Sequence, residues 1–379
     1  MSVNLTISGD FCITSTYLSK ILLSEEITTL FGESDINIVN LECPINNVSN
    51  KNKIVKNGPH LQTTEEIIKY LKALNIGAIT LANNHILDFG TVGLMNTLKE
   101  CKKNNIVTAG VGKNLKEASE PVIIEKNELR IALVNFCENE WCIATEDMAG
   151  ANPLDIVENY NQIKKAKAVA DFVLVIIHGG NEYYNLPSPR MVKLYRFFAD
   201  CGANAIIGHH THCISGLEVH NNVPIFYGLG NILFTNASDK ESWFTGLTIK
   251  LNLQKGQLIK WNLIPTSQSK ENFSLNILGD EKKDNVINEI ESYSATIVDE
   301  KKLKIAWDSF IENRKDQYLF AFSALNLVPG RYLRSLLKRL GVLKVLFPQK
   351  YLLTLINYIY CEAHLDVSKE VLGNKILKK

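Results

Sequence analysis

The chain has 379 residues, with 41 basic and 40 acidic side chains and a formal net charge of +1. Apolar residues make up 46% and charged residues 21%, which supports a sizeable buried core and excludes global disorder. The balanced charge gives no general nucleic-acid surface, and no nucleic-acid partner is expected.

The opening MSVNLTISGDF lacks a basic region followed by a long apolar stretch, so no secretory signal is expected. No run of 18 apolar residues occurs, so no transmembrane span is expected. Eight cysteines, at 12, 43, 101, 137, 142, 201, 213 and 361, form no CxxC pair and no dense disulfide framework. A reducing compartment fits them, and the expected location is cytoplasmic or peripheral to the inner face of the membrane.

Up to about residue 265, short apolar runs alternate with helical patterns. In chain order the runs are VNLTI, INIVNL, IGAITLA, LRIALVNF, DFVLVIIH, ANAIIG and VPIFYGL. They are rich in Val and Ile and mostly continuous, as in strands covered on both faces. Residues 64–75, 91–104, 155–170 and 189–201 read as helices, the last with Pro189 in its first turn after Ser188. The pattern is α/β. Residues 244–264 hold two alternating runs around a Lys-Gly turn and read as an antiparallel hairpin, so a mixed sheet or two packed sheets is expected. Polar residues 266–287 read as a linker between a domain at 1–265 and a helical region at 288–379 with a break at Pro348. Within 330–362, Arg331, Arg334, Lys338, Arg339, Lys344 and Lys350 interleave with apolar residues. That pattern suits a solvated face, a peripheral membrane contact or a contact with a synthase complex.

The chemistry is written at the ends of the runs. Asp10 ends the first, Asn40 and Glu42 the second, and Asn83, Asn84 and His85 the third. His178 ends the fifth, His209, His210 and His212 the sixth, and Asn231 follows the seventh. Strand ends of an α/β sheet converge on one crevice. Five of the eight histidines fall there. Imidazole with carboxylate suits Mn, Zn or Fe better than Mg or Ca. One zinc needs only three protein ligands, whereas two ions sharing a carboxylate would use all the candidates, so one or two divalent ions are expected.

The segments GD at 9–10, NLE at 40–42, ANNH-x-x-D-x-G at 82–90, AGVG at 109–112, HGGNEY at 178–183, GHHTH at 208–212 and GLGN at 228–231 carry a resemblance. Over residues 5–265 the sequence resembles the CapA family, named for poly-gamma-glutamate capsule synthesis, within the calcineurin-like metallophosphoesterase superfamily. The resemblance implies a two-sheet sandwich flanked by helices. It implies Asp10 and His212 as ligands of a first metal, Glu42 as the bridge, and Asn84, His178 and His210 as ligands of a second. It further implies His85 as the catalytic proton donor, with Asp88 orienting it or else capping the next helix. The superfamily has Asp-x-His where this chain reads Asp10-Phe11-Cys12, so one ligand is lost or replaced. Cys12 is either a thiolate substitute or a core residue.

Around these, His209 is expected to point away from the ligand pair if the chain stays extended, in a supporting role. Asn40, Asn181, Glu182 and Asn231 are candidate substrate or supporting contacts. His60 sits in a loop that could cover the site, and Lys53, Lys56 or Arg190 could neutralise phosphate. The resemblance implies metal-dependent phosphoester hydrolysis, with hydroxide activated at the metal and His85 as proton donor, in capsule, exopolysaccharide or poly-gamma-glutamate production. The substrate would be an anionic polymer, a phosphorylated glycan or a lipid-linked intermediate. Two other readings are an amide-bond hydrolase or transferase acting on polyglutamate, and a non-catalytic accessory of a polymer synthase complex.

Overall fold

A computed structural model describes residues 2–20, 22–46, 52–56, 58–322, 331–342 and 346–360. The chain packs as two compact units, Met1–Lys304 and Ile305–Lys379.

The first unit holds two mixed sheets. One has the order β16-β15-β14-β1-β2-β3-β4, with β13 also paired to β1. Its strands are β1 (Ser2–Cys12), β2 (Ile36–Leu41), β3 (Ile76–Thr80), β4 (Val107–Ala109), β13 (Asn231–Phe234), β14 (Thr245–Gln254), β15 (Lys260–Gln268) and β16 (Leu275–Ile277). The other has the order β11-β12-β10-β9-β7-β6. Its strands are β6 (Val122–Lys126), β7 (Leu129–Cys137), β9 (Phe172–His178), β10 (Ala205–His209), β11 (Leu217–His220) and β12 (Val223–Phe226). A short ribbon joins β5 (Val111–Gly112) to β8 (Gly150–Ala151). All seven apolar runs are strands, and the expected hairpin is the β14–β15 antiparallel pair.

Helices cover the outer faces. Against the first sheet lie α1 (Glu25–Gly32), α2 (Ile67–Ala73) and α3 (Gly90–Lys103), with Phe31, Leu71 and Leu94 meeting Val39, Leu41 and Ile79. The short α4 is Leu115–Ala118. Against the second sheet lie α5 (Ile156–Val169) and α6 (Pro189–Asp200), with Ile163, Tyr195 and Phe198 meeting Val173, Val175 and Ile177. The Ser188 hydroxyl accepts the Met191 N–H at 3.3 Å and so starts α6, with Pro189 in its first turn. The third core layer lies between the sheets, where Leu5, Ile7, Ile38, Leu133, Leu174, Ile176, Ile207 and Ile249 meet.

Residues 266–287 are not a linker. β15 runs on to Gln268, β16 pairs with it, and α7 (Asp280–Val298) buries Val286, Ile290 and Ile297. The short apolar signal of Leu275 and Ile277 is diluted by flanking Ser, Asn and Lys, yet Leu275 is fully buried. The first unit therefore continues past 265 to Lys304. The helical region contains α8 (Glu300–Phe322), α9 (Arg331–Arg339) and α10 (Gln349–Tyr360), the last starting after Pro348. Residues 323–330, 343–345 and 361–379, also covered by that expectation, lie outside the described residues. The seven described cysteines are free and buried.

Strand side chains alternate faces, so register decides which residues enter the layer between the sheets. On β2, Ile36 and Ile38 enter it, which carries Asn40 and Glu42 to the same side. On β9, Leu174 and Ile176 lead to His178. β1 would fail by this count, because Leu5 and Ile7 face inward and Asp10 has the opposite parity. A register shift between Ser8 and Asp10 leaves Gly9 as an extra residue, and the bulge turns Asp10 inward opposite Asn40. A Cβ on Gly9 would stand 1.8 Å from the Gly230 carbonyl oxygen. Gly9→Ala should therefore cost at least about 2 kcal/mol, read as a lower urea midpoint with an unchanged slope.

Candidate metal centre

The inter-sheet layer changes from apolar to polar at the carboxyl end of the strands. Asp10 closes the inward run of β1, and Glu42 follows β2. Asn84, His85 and Asp88 lie in the turn between β3 and α3. His178 and His209 are the last residues of β9 and β10 and face each other across the ladder. His210 and His212 lie in the turn after β10 and have φ of 91° and 53°. The chain thus leaves the extended conformation at once, and these left-handed histidines are strained backbone at a candidate site.

Two sets of atoms converge. Ligand atoms of Glu42, His178 and His210 lie within 4.8 Å of one another, as do those of Asp10, Glu42 and His212, and all five residues are buried. Glu42 belongs to both sets. His178 Nε2 lies 3.1 Å from Asn84 Oδ1, 3.1 Å from His210 Nδ1 and 3.6 Å from Glu42 Oε1. His212 Nε2 is 3.6 Å from the same Glu42 oxygen, and its Nδ1 is 3.5 Å from Asp10 Oδ2. Among the described residues neither Glu42 oxygen has a hydrogen-bond donor. Burial, and then the Asp10 charge, push the Glu42 carboxyl well above its ordinary range. Burial, and then His210, hold His178 well below the usual imidazole range, and burial and His212 lower His210. The centre therefore turns the neutral imidazoles of His178 and His210, the Asn84 amide oxygen and a Glu42 carboxyl that burial disfavours as an anion toward one another. Such acceptors repel without a cation, and the donor set fits one or two divalent ions.

Supporting contacts fix each ligand. Asp10 Oδ1 accepts Asn40 Nδ2–H at 2.7 Å, and Asp10 Oδ2 accepts the His210 N–H at 3.1 Å. Burial alone would raise the Asp10 carboxyl, but His209, His178 and His212 hold it well below the usual carboxylate range. Asn231 Oδ1 sits 2.9 Å from His212 Nδ1, while its amide donates to the Trp243 carbonyl at 3.1 Å. That pairing leaves His212 Nε2 for a cation. Trp243, Phe234 and Tyr183 ring His212 at centroid distances of 4.7, 5.2 and 6.2 Å.

His85 Nδ1 lies 2.7 Å from Asp88 Oδ2. Asp88 also accepts the Leu61 N–H at 2.6 Å and forms an ion pair with Lys56. No side-chain cap bond joins it to α3, so it orients His85 and does not cap that helix. Burial lowers the His85 imidazole, against the opposing pull of Asp88.

Several sequence expectations change here. His209 does not point away: its Nδ1 stands 3.5 Å from Asp10 Oδ1, because β10 stays extended to that residue and the turn begins after it. Cys12 packs on Cys43 in the outer core, where that contact and burial raise its thiol, so it is core and not a thiolate ligand. His60 Nε2 bonds the Ile54 carbonyl at 2.8 Å and braces its own loop. Asn181 bonds Tyr184 through its backbone carbonyl. Glu182 is exposed, and its charge adds to burial in raising Glu140 and Tyr183. Lys56 is held by Asp88 and Arg190 by Glu138, so neither is a spare phosphate clamp.

Sequence reasoning missed Asn135, Glu138 and Glu140. Asn135 Oδ1 accepts the Leu81 and Ala82 N–H groups at 3.2 and 2.9 Å, and its amide donates to the Ile176 carbonyl at 3.0 Å. It clamps the two sheets beside the centre. Glu138 accepts the Gly180 N–H at 3.0 Å, and burial raises the Glu140 carboxyl against the lowering influence of the Asn84 amide beside it. The signal was present: the fourth apolar run also stops on polar residues, in NFCENE.

Two substitutions test this electrostatics. Burial disfavours the Glu42 anion, so Glu42→Gln should change the stability in chelator by no more than about 1 kcal/mol and should lessen the thermal shift on adding Mn²⁺. Equal destabilisation with and without metal would contradict that role. Asp88→Ala strands the Lys56 ammonium, 3% exposed, and should cost about 3–5 kcal/mol in urea denaturation. Lys56→Met in the same chain should recover part of the loss.

The family model described as bacterial capsule synthesis protein PGA_cap matches residues 15–236, more than half of the chain. The chain is 36% identical over 211 residues to the PGA biosynthesis protein CapA of Bacillus subtilis, covering 55% of each. It is 36% identical over 181 residues to the capsule biosynthesis protein CapA of Bacillus anthracis, covering 46% of this chain and 44% of that one. It thus spans about half the length of these curated relatives. Among solved structures, a phosphatase of Mycoplasma pneumoniae is similar with a TM-score of 0.44 at 14% identity, covering 76% of this chain and 99% of that one. A 5'-nucleotidase precursor of Thermus thermophilus is similar with a TM-score of 0.41 at 14% identity, covering 76% and 58%. On the family match, this chain belongs to the bacterial capsule synthesis protein PGA_cap family.

Proposed function

We propose that this chain is a metal-dependent hydrolase serving the synthesis of an anionic capsule polymer of the poly-gamma-glutamate kind. The observation that carries this reading is the convergence of buried acceptors on a Glu42 carboxylate without donors. Asp10, His212 and Glu42 would hold one divalent ion, and Glu42, Asn84, His178 and His210 the other. When bound, such ions act as Lewis acids that polarise the scissile group and acidify water.

The remaining steps belong to the chain. Asp88 faces His85 Nδ1 and stabilises the imidazolium, which leaves Nε2–H to be delivered to the leaving atom. Burial weakens the hold of His85 on that proton and favours its release. Trp243, Phe234 and Tyr183 form an apolar wall beside His212 that keeps bulk water from one side.

The first substrate reading is a phosphoester, as the donor set suits. A second, cleavage of an amide bond in polyglutamate, is favoured by the engagement of Lys56 and Arg190 and by the neighbouring Glu138, Glu140 and Glu182, which suit a weakly charged reacting group. Relatives with names in capsule or polyglutamate synthesis support an anionic polymer as the wider context.

Elemental analysis followed by assays on phosphomonoesters, phosphodiesters and gamma-glutamyl peptides with Mn²⁺, Zn²⁺ and Fe²⁺ tests the proposal. One substrate class should turn over, and His85→Ala should lower kcat by about 10²–10⁴-fold with metal content retained. Bound metal with no turnover on any class would favour a non-catalytic accessory, and neither metal nor turnover would defeat the reading.

A further inference from the structure

The second compact unit contains a stretch with a different charge character from the rest of the chain. Residues 331–360 hold six basic side chains, Arg331, Arg334, Lys338, Arg339, Lys344 and Lys350, and no acidic one. The whole chain carries +1, so everything outside this stretch is net negative. The basic charge is also ordered along a helix. In α9 and the residue after it, Leu333, Leu336, Leu337 and Leu340 recur at the three- and four-residue spacing of one helical face. Residues 331, 334 and 338 recur at the same spacing on another face. The Leu340 N–H donates to the Leu336 carbonyl at 2.9 Å, so the helical path includes it.

Most of the apolar face is exposed, with Leu337 half-buried. Leu333, Leu336 and Leu340 are 47%, 51% and 68% exposed, and in α10 Leu353, Ile356 and Ile359 are also exposed. A nine-residue helix is about 14 Å long, too short to cross a bilayer, and no described helix is long and apolar enough to do so. A short helix with a leucine face, a cationic face and no acidic residue has the composition of a segment that lies in the plane of a membrane surface. A protein groove offering apolar cover would not by itself call for six basic residues in a stretch without an acidic one, whereas anionic headgroups attract such a stretch.

We infer that α9, with α10 beside it in sequence, docks this protein on an anionic phospholipid surface, leucines in the acyl boundary and basic residues among the headgroups. This inference does not depend on the hydrolase reading. The contact is peripheral and reversible, and it should weaken as salt rises.

The test uses the full chain and vesicles of phosphatidylcholine alone or mixed with phosphatidylglycerol, read by sedimentation. Binding to the mixed vesicles only, released by salt, is expected. The pair Lys338→Gln, Arg339→Gln should weaken that binding roughly 30-fold. The pair Leu336→Ser, Leu340→Ser should abolish it while metal content and the melting of the first unit stay unchanged. Absence of binding to mixed vesicles at low salt would overturn the inference, as would equal binding to both vesicle types or binding that survives both variants. A concentration-dependent dimer, lost in the leucine variant and unable to bind vesicles, would overturn it in favour of a protein contact.

Discussion

The alternation of side chains in the strands between two packed sheets governs this molecule. Apolar residues on the inward parity build the middle core, and the same parity, followed to the carboxyl ends, delivers Asn40, Glu42, His178 and His209 to one place. Asp10 joins them through the bulge at Gly9. Site and core are thus two ends of one layer, and neither can slip by one residue without the other.

That arrangement sets the electrostatics. Burial favours neutral forms, and His178 and His210 obey it. Asp10 is kept ionised by donors and neighbouring imidazoles, while Glu42 has no donor. The two carboxylates therefore differ: one is stabilised by the protein itself, the other calls for a cation. Left-handed backbone at His210 and His212 is the conformational cost of bringing two imidazoles from one short turn to both sides of Glu42.

Much of this was legible in the sequence. Strands buried on both faces leave continuous Val and Ile runs, and polar residues at their ends stand out, so the convergence of Asp10, Glu42, Asn84, His178, His210 and His212 could be expected. What escaped depends on geometry that periodicity does not carry. The inward turn of His209 follows from where β10 ends. Asn135 acts through backbone groups of both sheets, and an isolated Asn within an apolar run gives no sign of that. The segment 266–287 looked like a linker because its few buried residues, Leu275 among them, are diluted by polar neighbours on an edge strand. Lys56 looked like a free cation, and only the folded loop shows its charge neutralised by Asp88.

The clamp formed by Asn135 has a mechanical consequence. Two of its hydrogen bonds, to Leu81 and Ala82, hold the first sheet to the second at the end where the middle layer is too polar to do so by apolar contact, and the third ties it to Ile176 within the second sheet. The candidate ligands divide in the same way: Asp10, Glu42 and Asn84 lie on or just after strands of the first sheet, and His178, His210 and His212 on or just after strands of the second. A cation held by both groups would rivet the sandwich at its open end. Metal binding would then be felt as cooperativity of the whole two-layer unit, not as the ordering of a surface loop.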